Sequence, residues 1–145
     1  MGISVSEHLK VSVVDKHEAE VWSFLESVED GWDDGKGKAP SMKGLHWLKN
    51  SQLALFLHFS KTEPQPWTFP TESPAVFPLQ SGEVEFEWAE NALSASLKVD
   101  VDTRQGILHL RNSKLRESSQ INYDFNKNCI VWEVMSKVGS FFESD

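Results

Sequence analysis

The chain has 145 residues, of which 39% are hydrophobic and 25% are charged, and these values are typical of one globular domain. A domain of this size buries enough apolar surface to fold without a metal or a disulfide. The formal net charge of −8 argues against binding to nucleic acid or to an anionic membrane, because both require a basic surface.

The first third of the chain predicts one short strand and two helices. A β-branched cluster over Leu9–Asp15 predicts the strand, and Asp15 has the capping-box spacing to Glu18. Apolar residues at steps of three and four predict a helix over about 16–29. A second helix is predicted over about 42–59, with a strand over its apolar end, "LALFLHF", as the alternative.

The loop "VEDGWDDGKGKAPS" separates these two helices. Its three glycines end the first helix, and Pro40 with Ser41 as N-cap begins the second. We expect Trp32 to fold back and fill the gap between the helices and the sheet, and Asp33 to tie the loop backbone. In this interpretation Asp30 and Asp34 have no structural task and remain as exposed charge.

A proline-rich segment joins the two halves of the chain. Its five prolines exclude a regular helix and a central strand, so it is predicted to be an extended connector over 62–80. The prolines are Pro64, Pro66, Pro70, Pro74 and Pro78.

The pattern then changes to period two, which predicts an antiparallel meander with one buried and one polar face. In the first strand Val84, Phe86 and Trp88 point inward, and three glutamates point outward: Glu83, Glu85 and Glu87. Two further strands follow in "LSASLKVDVD" and "ILHLRN", and the outward positions of the former include Asp100 and Asp102. The segment "QINYDFN" is a possible fourth strand.

Helical spacing in "CIVWEVMSKVGSFF" predicts a C-terminal helix, with a strand over its first half as the alternative. The predicted fold class is therefore α+β, a meander of three to four strands packed against two to three helices. It forms a single domain over residues 1–145: helical to about 60, the connector over 62–80, and the meander with the last helix over 81–145.

The order of these features resembles a layout found in small, uncharacterised bacterial proteins. In that layout a GWD-type loop precedes a helix, and a strand ending in Glu-Trp opens a sheet. The resemblance covers about residues 28–101, implies architecture and brings no function. The long second helix and the last forty-odd residues depart from it. The matching residues are Gly31, Trp32, Asp33, Pro40, Val76, Pro78, Gly82, Val84, Phe86, Glu87 and Trp88.

The sequence contains no recognisable catalytic or metal-binding pattern. The five histidines lack the spacing of a zinc site, and the loop aspartates lack the alternation of a calcium loop. No nucleophile elbow and no phosphate-binding loop occur. The one cysteine, Cys129, excludes an intrachain disulfide, and its apolar neighbours predict a buried, inert thiol. We therefore expect no catalytic residue, no metal and no cofactor.

With these patterns absent, the notable feature of the sequence is its acidic character, with carboxylates predicted on the polar face of the meander and in the loop. The hypothesis is a non-catalytic binding protein of the antitoxin or immunity type, which occludes a basic protein partner such as a nuclease toxin. The expected contact residues are Asp30, Asp34, Glu83, Glu85, Glu87, Asp100 and Asp102, while Trp32, Asp33, Pro40 and Trp88 are expected to be structural.

Two alternatives stay open. One is a regulatory protein that binds a small molecule or a peptide in an aromatic pocket lined by some of the six tryptophans. The other is an enzyme whose site is assembled from residues distant in sequence. The chain shows no secretory signal and no membrane-spanning run, so the expected location is the cytoplasm. The oligomeric state is open.

Overall fold

A computed structural model describes residues 18–54 and 74–143. Within these ranges the chain forms three helices and a five-stranded sheet. Residues 18–27 are helical and are named α1. The other elements are α2 (Met42–Asn50), a short 3-10 helix (Gln52–Ala54), β1 (Ala75–Pro78), β2 (Val84–Glu90), β3 (Leu93–Asp100), β4 (Gln105–Asn112), β5 (Glu117–Asp124) and α3 (Ile130–Glu143). The predicted first strand and the Asp15 cap lie outside the described residues.

The second helix is shorter than predicted. It begins after Ser41, as expected, because the Ser41 side chain accepts a hydrogen bond from the backbone N–H of Gly44 at 2.9 Å. It ends at Asn50 because the next residue, Ser51, donates both its hydroxyl and its N–H to the carbonyl of Leu48. Residues 55–59, and with them most of the alternative strand, lie outside the described residues.

The sheet has five strands instead of three to four, in the order β1-β2-β3-β4-β5, and every neighbouring pair is antiparallel. One of the five, β1, lies inside the predicted connector. The Leu79 N–H donates to the Glu83 carbonyl. Since backbone groups of successive strand residues point alternately toward and away from the neighbouring strand, the nitrogen of Pro78 faces away from β2. The strand therefore tolerates a proline there. The fourth predicted strand exists as β5.

All three helices bury their apolar side chains against one face of the sheet, which we call the inner face. Trp22 and Leu25 of α1, Leu45 and Leu48 of α2, and the apolar stripe of α3 join the inward strand residues in one core. The strand alternative for the C-terminal segment is wrong. The opposite, outer face carries the polar strand positions, and no described element packs against it.

Candidate partner-binding surface

The loop 28–41 is a compact hairpin. Asp33 and Lys36 exchange backbone hydrogen bonds of 2.8 and 3.0 Å. The two residues between them, Asp34 and Gly35, have φ angles of 53° and 85°. Positive φ at both central positions is the type I′ turn that Asp-Gly favours. Asp34 is therefore part of the turn itself.

The prediction that Trp32 fills the core is wrong. The indole is 36% exposed, and it covers its own loop. Its Nε1 donates to the carbonyl of Lys38 at 3.3 Å, and it occupies the space where a Cβ on Gly37 would lie, 2.8 Å from that nitrogen. The aromatic side chains that fill the core come from elsewhere, and they include Trp88, which is 3% exposed.

Other polar groups dock the loop on one end of the sheet. Asp30 Oδ1 accepts from the Ala39 N–H at 2.9 Å, so this side chain closes the loop, a task the sequence did not suggest. Asp33 accepts from the Gln80 side chain instead of tying its own loop, and Lys38 N–H donates to the Gln80 carbonyl at 2.7 Å. Pro40, next to the cap, is buried.

The same end of the sheet receives the turn between β3 and β4. Asp100 Oδ1 accepts from the N–H groups of Asp102 and Thr103 and so caps this turn, while Asp102 accepts from the hydroxyl of Ser41. Glu83 lies at this end too, directly before the first pair of β2 with β3, and it accepts from Ser81 Oγ at 2.8 Å. Five of the seven predicted contact residues therefore meet at one end of the sheet.

The remaining two, Glu85 and Glu87, continue from that end along the outer face of β2. Glu85 faces Lys98 and Glu87 faces Ser96 across the β2–β3 ladder. Glu85 and Lys98 do not form a salt bridge within 4.0 Å. Within residues 18–54 and 74–143, the one ion pair at that distance joins Lys49 and Glu26. The carboxylate row of β2 is thus a continuous acidic strip, and none of its carboxylates forms a salt bridge within 4.0 Å in the described residues.

The pKa of the Glu85 carboxyl is raised, first by its burial and next by the neighbouring charge of Glu87, against weaker lowering by Lys98 and His109. At neutral pH the charge on Glu85 is therefore held less favourably than in water. A cation brought to the outer face from outside would reverse this.

We expect Glu85→Gln to raise the melting temperature at pH 7 by about 1–3 °C. A carboxyl with a raised folded-state pKa stabilises the fold at low pH and loses this contribution as pH rises through that pKa. The gain should therefore vanish below the pKa of the unfolded chain. Thermal unfolding from pH 3 to 8 measures it, with Glu20→Gln on α1 as the control for net charge. A gain that persists at pH 3 would contradict the electrostatic cause.

The described residues contain no group of three or more histidine, cysteine, aspartate or glutamate side chains placed to hold a metal ion. In the same residues, no helix has the length and apolar composition needed to cross a bilayer.

A groove of about 530 Å3 lies at the junction of α2, the end of β5 and the start of α3. Its walls are aromatic, with Trp47, Phe125 and Trp132, and Lys127 is the cation among its lining residues. Arg104 lies over the Trp47 ring at 5.3 Å from its centre. The prediction that Cys129 is buried is wrong: it is exposed in this groove, because it lies before the first turn of α3.

The basic side chains do not form one cluster. Arg111, Lys114 and Arg116 lie at or near the β4–β5 turn, which is at the opposite end of the sheet from Arg104. Basic side chains therefore lie at both ends of the sheet, and the end that carries the loop aspartates with Asp100 and Asp102 is named the acidic end. No protein-family model, curated protein or solved structure matches the chain.

Proposed function

We propose that the protein is a non-catalytic binding protein of the antitoxin or immunity type, which occludes a basic protein partner with the outer face of its sheet. The observation that carries the proposal is the acidic strip on β2. Glu85 is partly buried between the like charges of Glu83 and Glu87, and no described cation forms an ion pair with it within 4.0 Å. The proposal includes that the protein acts without a cofactor and in the cytoplasm.

The strip costs the free protein stability, so a partner that brings lysine or arginine side chains gains energy twice. It forms charge-assisted contacts, and it removes the repulsion between Glu85 and Glu87. The overall charge of −8 adds long-range attraction, which speeds encounter with a basic protein. The acidic end of the sheet, with Asp30, Asp34 and Asp102, extends the same field.

The resemblance to small bacterial proteins with a GWD-type loop is part of this proposal as a statement about architecture, and it brings no function of its own. The loop orders the acidic end. The strand β2 contains Glu87 and Trp88, continues to Glu90, and carries both the strip and core residues. Trp88 stacks on Phe86 with 6.4 Å between ring centres, on the face opposite the glutamates. One strand thus anchors the sheet and presents the charge.

The test is capture of proteins from native lysate on the immobilised full chain, at low and at high salt. We expect a basic protein to be retained at low salt by the wild type and lost with Glu85→Gln combined with Glu87→Gln. The control bait combines Glu20→Gln on α1 with Glu143→Gln on α3, two exposed positions outside the strip and the loop, and it should still capture the partner. Equal capture by the strip variant and the control, or no basic protein at low salt, would overturn the proposal.

The aromatic groove favours a second candidate, a regulatory protein that binds a small molecule. Its volume lies in the range of ligand sites, and its Trp47, Phe125 and Lys127 suit a planar ligand with a negative charge. A thermal-shift screen of aromatic carboxylates tests it. A hit that raises the melting temperature of the wild type, but not of Trp47→Ala, would support this function. A screen without such a hit would count against it.

A further inference from the structure

The two edges of the sheet are protected very differently. The strand at one edge, β1, has four residues, ends in Pro78 and directly follows Pro74. The strand at the other edge, β5, has eight residues and contains neither proline nor lysine. All eight of its residues pair with β4 in unbroken register, so no bulge bends it away. Native sheets normally blunt such an edge by one of these devices.

The hydrogen-bonding groups of β5 alternate in direction. The Phe125 N–H donates to the Arg104 carbonyl at 2.9 Å. The backbone groups of the odd-numbered residues of β5 therefore point toward β4 and bond to it. The backbone N–H and C=O groups of Ser118, Gln120, Asn122 and Asp124 therefore point outward. In the described residues no strand pairs with this edge, and the first four residues of β5 are exposed.

The two ends of β5 carry opposite charge. Arg116 directly precedes the strand in the β4–β5 turn, and no described carboxylate lies within 4.0 Å of its guanidinium. Asp124 ends the strand. Its Oδ1 accepts from the Asn126 backbone and side chain and from Gln105, at 2.9–3.0 Å, while Oδ2 accepts no bond in the described residues.

We propose that β5 pairs antiparallel with β5 of a second copy of this chain, forming a two-fold dimer with a continuous ten-stranded sheet. The symmetry axis lies at Gln120, so Ser118 faces Asn122 of the partner copy. This brings Arg116 of each copy beside Asp124 of the other. The outward backbone groups of one edge then bond to those of the other.

Charge and hydrogen-bond direction select this register. A shift by one residue would place Glu117 opposite Asp124 and set outward-pointing residues against inward-pointing ones. A shift by two would place Arg116 opposite Asn126 or, in the other direction, opposite Asn122, so Arg116 would lose Asp124 in either case. The second of these shifts brings Lys114 opposite Asp124, but Lys114 lies in the β4–β5 turn, outside the strand that pairs. With the axis at Gln120, both salt bridges form and each polar side chain of the outer face meets another polar side chain.

Dimerisation through an edge leaves both faces of the sheet as they are. The acidic strip of β2 lies three strands away from the dimer axis, so each dimer would present two strips. This inference stands independently of the proposed partner, because it depends on β5 and its two ends alone. A monomer could still bind a basic protein, and a dimer could exist without one.

The first test is sedimentation of the full chain from micromolar to millimolar concentration. We expect a reversible monomer–dimer equilibrium that weakens with salt. Gln120→Pro removes an outward N–H without touching a bond to β4, so it should weaken dimerisation by about tenfold or more while the melting temperature of the monomer holds. A monomer at every concentration, or a dimer that Gln120→Pro leaves intact, would overturn the proposal.

The second test exchanges the charges. Arg116→Asp and Asp124→Arg should each weaken the homodimer by about tenfold, because each creates two like-charge contacts. Mixed together, the two variants should form a heterodimer, since both contacts then join opposite charges. Lys137→Asp on α3 is the control for net charge and should leave the dimer intact. Failure of the mixture to associate better than either variant alone would rule out this register.

Discussion

Leu48→Ala is expected to lower the free energy of unfolding by about 2–5 kcal/mol, because it opens a cavity that the neighbouring elements cannot fill. Leu48 is fully buried. It lies on α2, a helix of nine residues that reaches the core mainly through this side chain and Leu45. Urea or thermal unfolding measures the loss, which should appear in the midpoint while the dependence on denaturant stays unchanged.

The matched comparison is Trp32→Ala, which removes a larger side chain. We expect it to cost only about 1 kcal/mol, because the indole is exposed and contributes one long hydrogen bond within its own loop. If Trp32→Ala destabilised the protein as much as Leu48→Ala does, the loop tryptophan would belong to the core and the structural account of this hairpin would be wrong.

Gly44→Ala is expected to destabilise the protein although alanine is the better helix former. Gly44 lies in the first turn of α2, and a Cβ there would come within 2.4 Å of Val101 Cγ2 and 2.8 Å of Ser41 Oγ. Val101 is buried and β-branched, so it cannot move aside. Overpacking of this kind costs about 1–3 kcal/mol, which exceeds the gain in helix propensity of about 1 kcal/mol at most.

A double-mutant cycle isolates the contact that opposes the alanine. Val101→Ala removes Cγ2, so Gly44→Ala should cost about 1 kcal/mol less in that background than in the wild type. Unfolding of the four proteins under identical conditions measures the coupling. If the cost of Gly44→Ala were the same in both backgrounds, the close approach of α2 to the β3–β4 turn would not be its cause.

The meander could be predicted from the sequence because strand alternation is a local signal. Val84, Phe86 and Trp88 alternate with glutamates, and this pattern alone assigned the buried and the outer faces correctly. The fifth strand could not be predicted, since prolines at Pro74 and Pro78 normally argue against a strand. Only its place at the sheet edge, where the Pro78 nitrogen faces away from β2, makes it possible.

The loop shows a different limit. The Asp34-Gly35 pair is a recognisable signal for a type I′ turn, and it could have identified the hairpin. The tasks of Asp30 and Asp102, in contrast, depend on partners nine and 61 residues away in the sequence. Likewise, helical periodicity continued past Asn50, and the competing hydrogen bonds of Ser51 ended the helix. The bond of Asp102 depends on tertiary structure. The bonds of Ser51 are local, but a serine side chain can take several local partners, and the periodicity does not decide between them.

The acidic strip combines both cases. Its outward direction follows from period two. The partial burial of Glu85 and the lack of a close salt bridge to it depend on the neighbours that the sheet supplies. Glu85 faces Lys98, and yet the two charges stay more than 4.0 Å apart. The carboxylate of Glu85 therefore remains without a close salt bridge, and this makes the polar face a candidate recognition surface.

We expect the outer face of the sheet to accept cations at Glu85 and Glu87. The most direct measurement is a carboxyl-detected NMR titration of the full chain over pH, with and without a hexalysine peptide at low salt. We expect the pKa of Glu85 to lie above its ordinary value in the free protein and to fall when the peptide is present, while the peptide changes the chemical shift of the Glu20 carboxyl on α1 less. A peptide that shifts the α1 carboxylates and leaves Glu85 unchanged would contradict it.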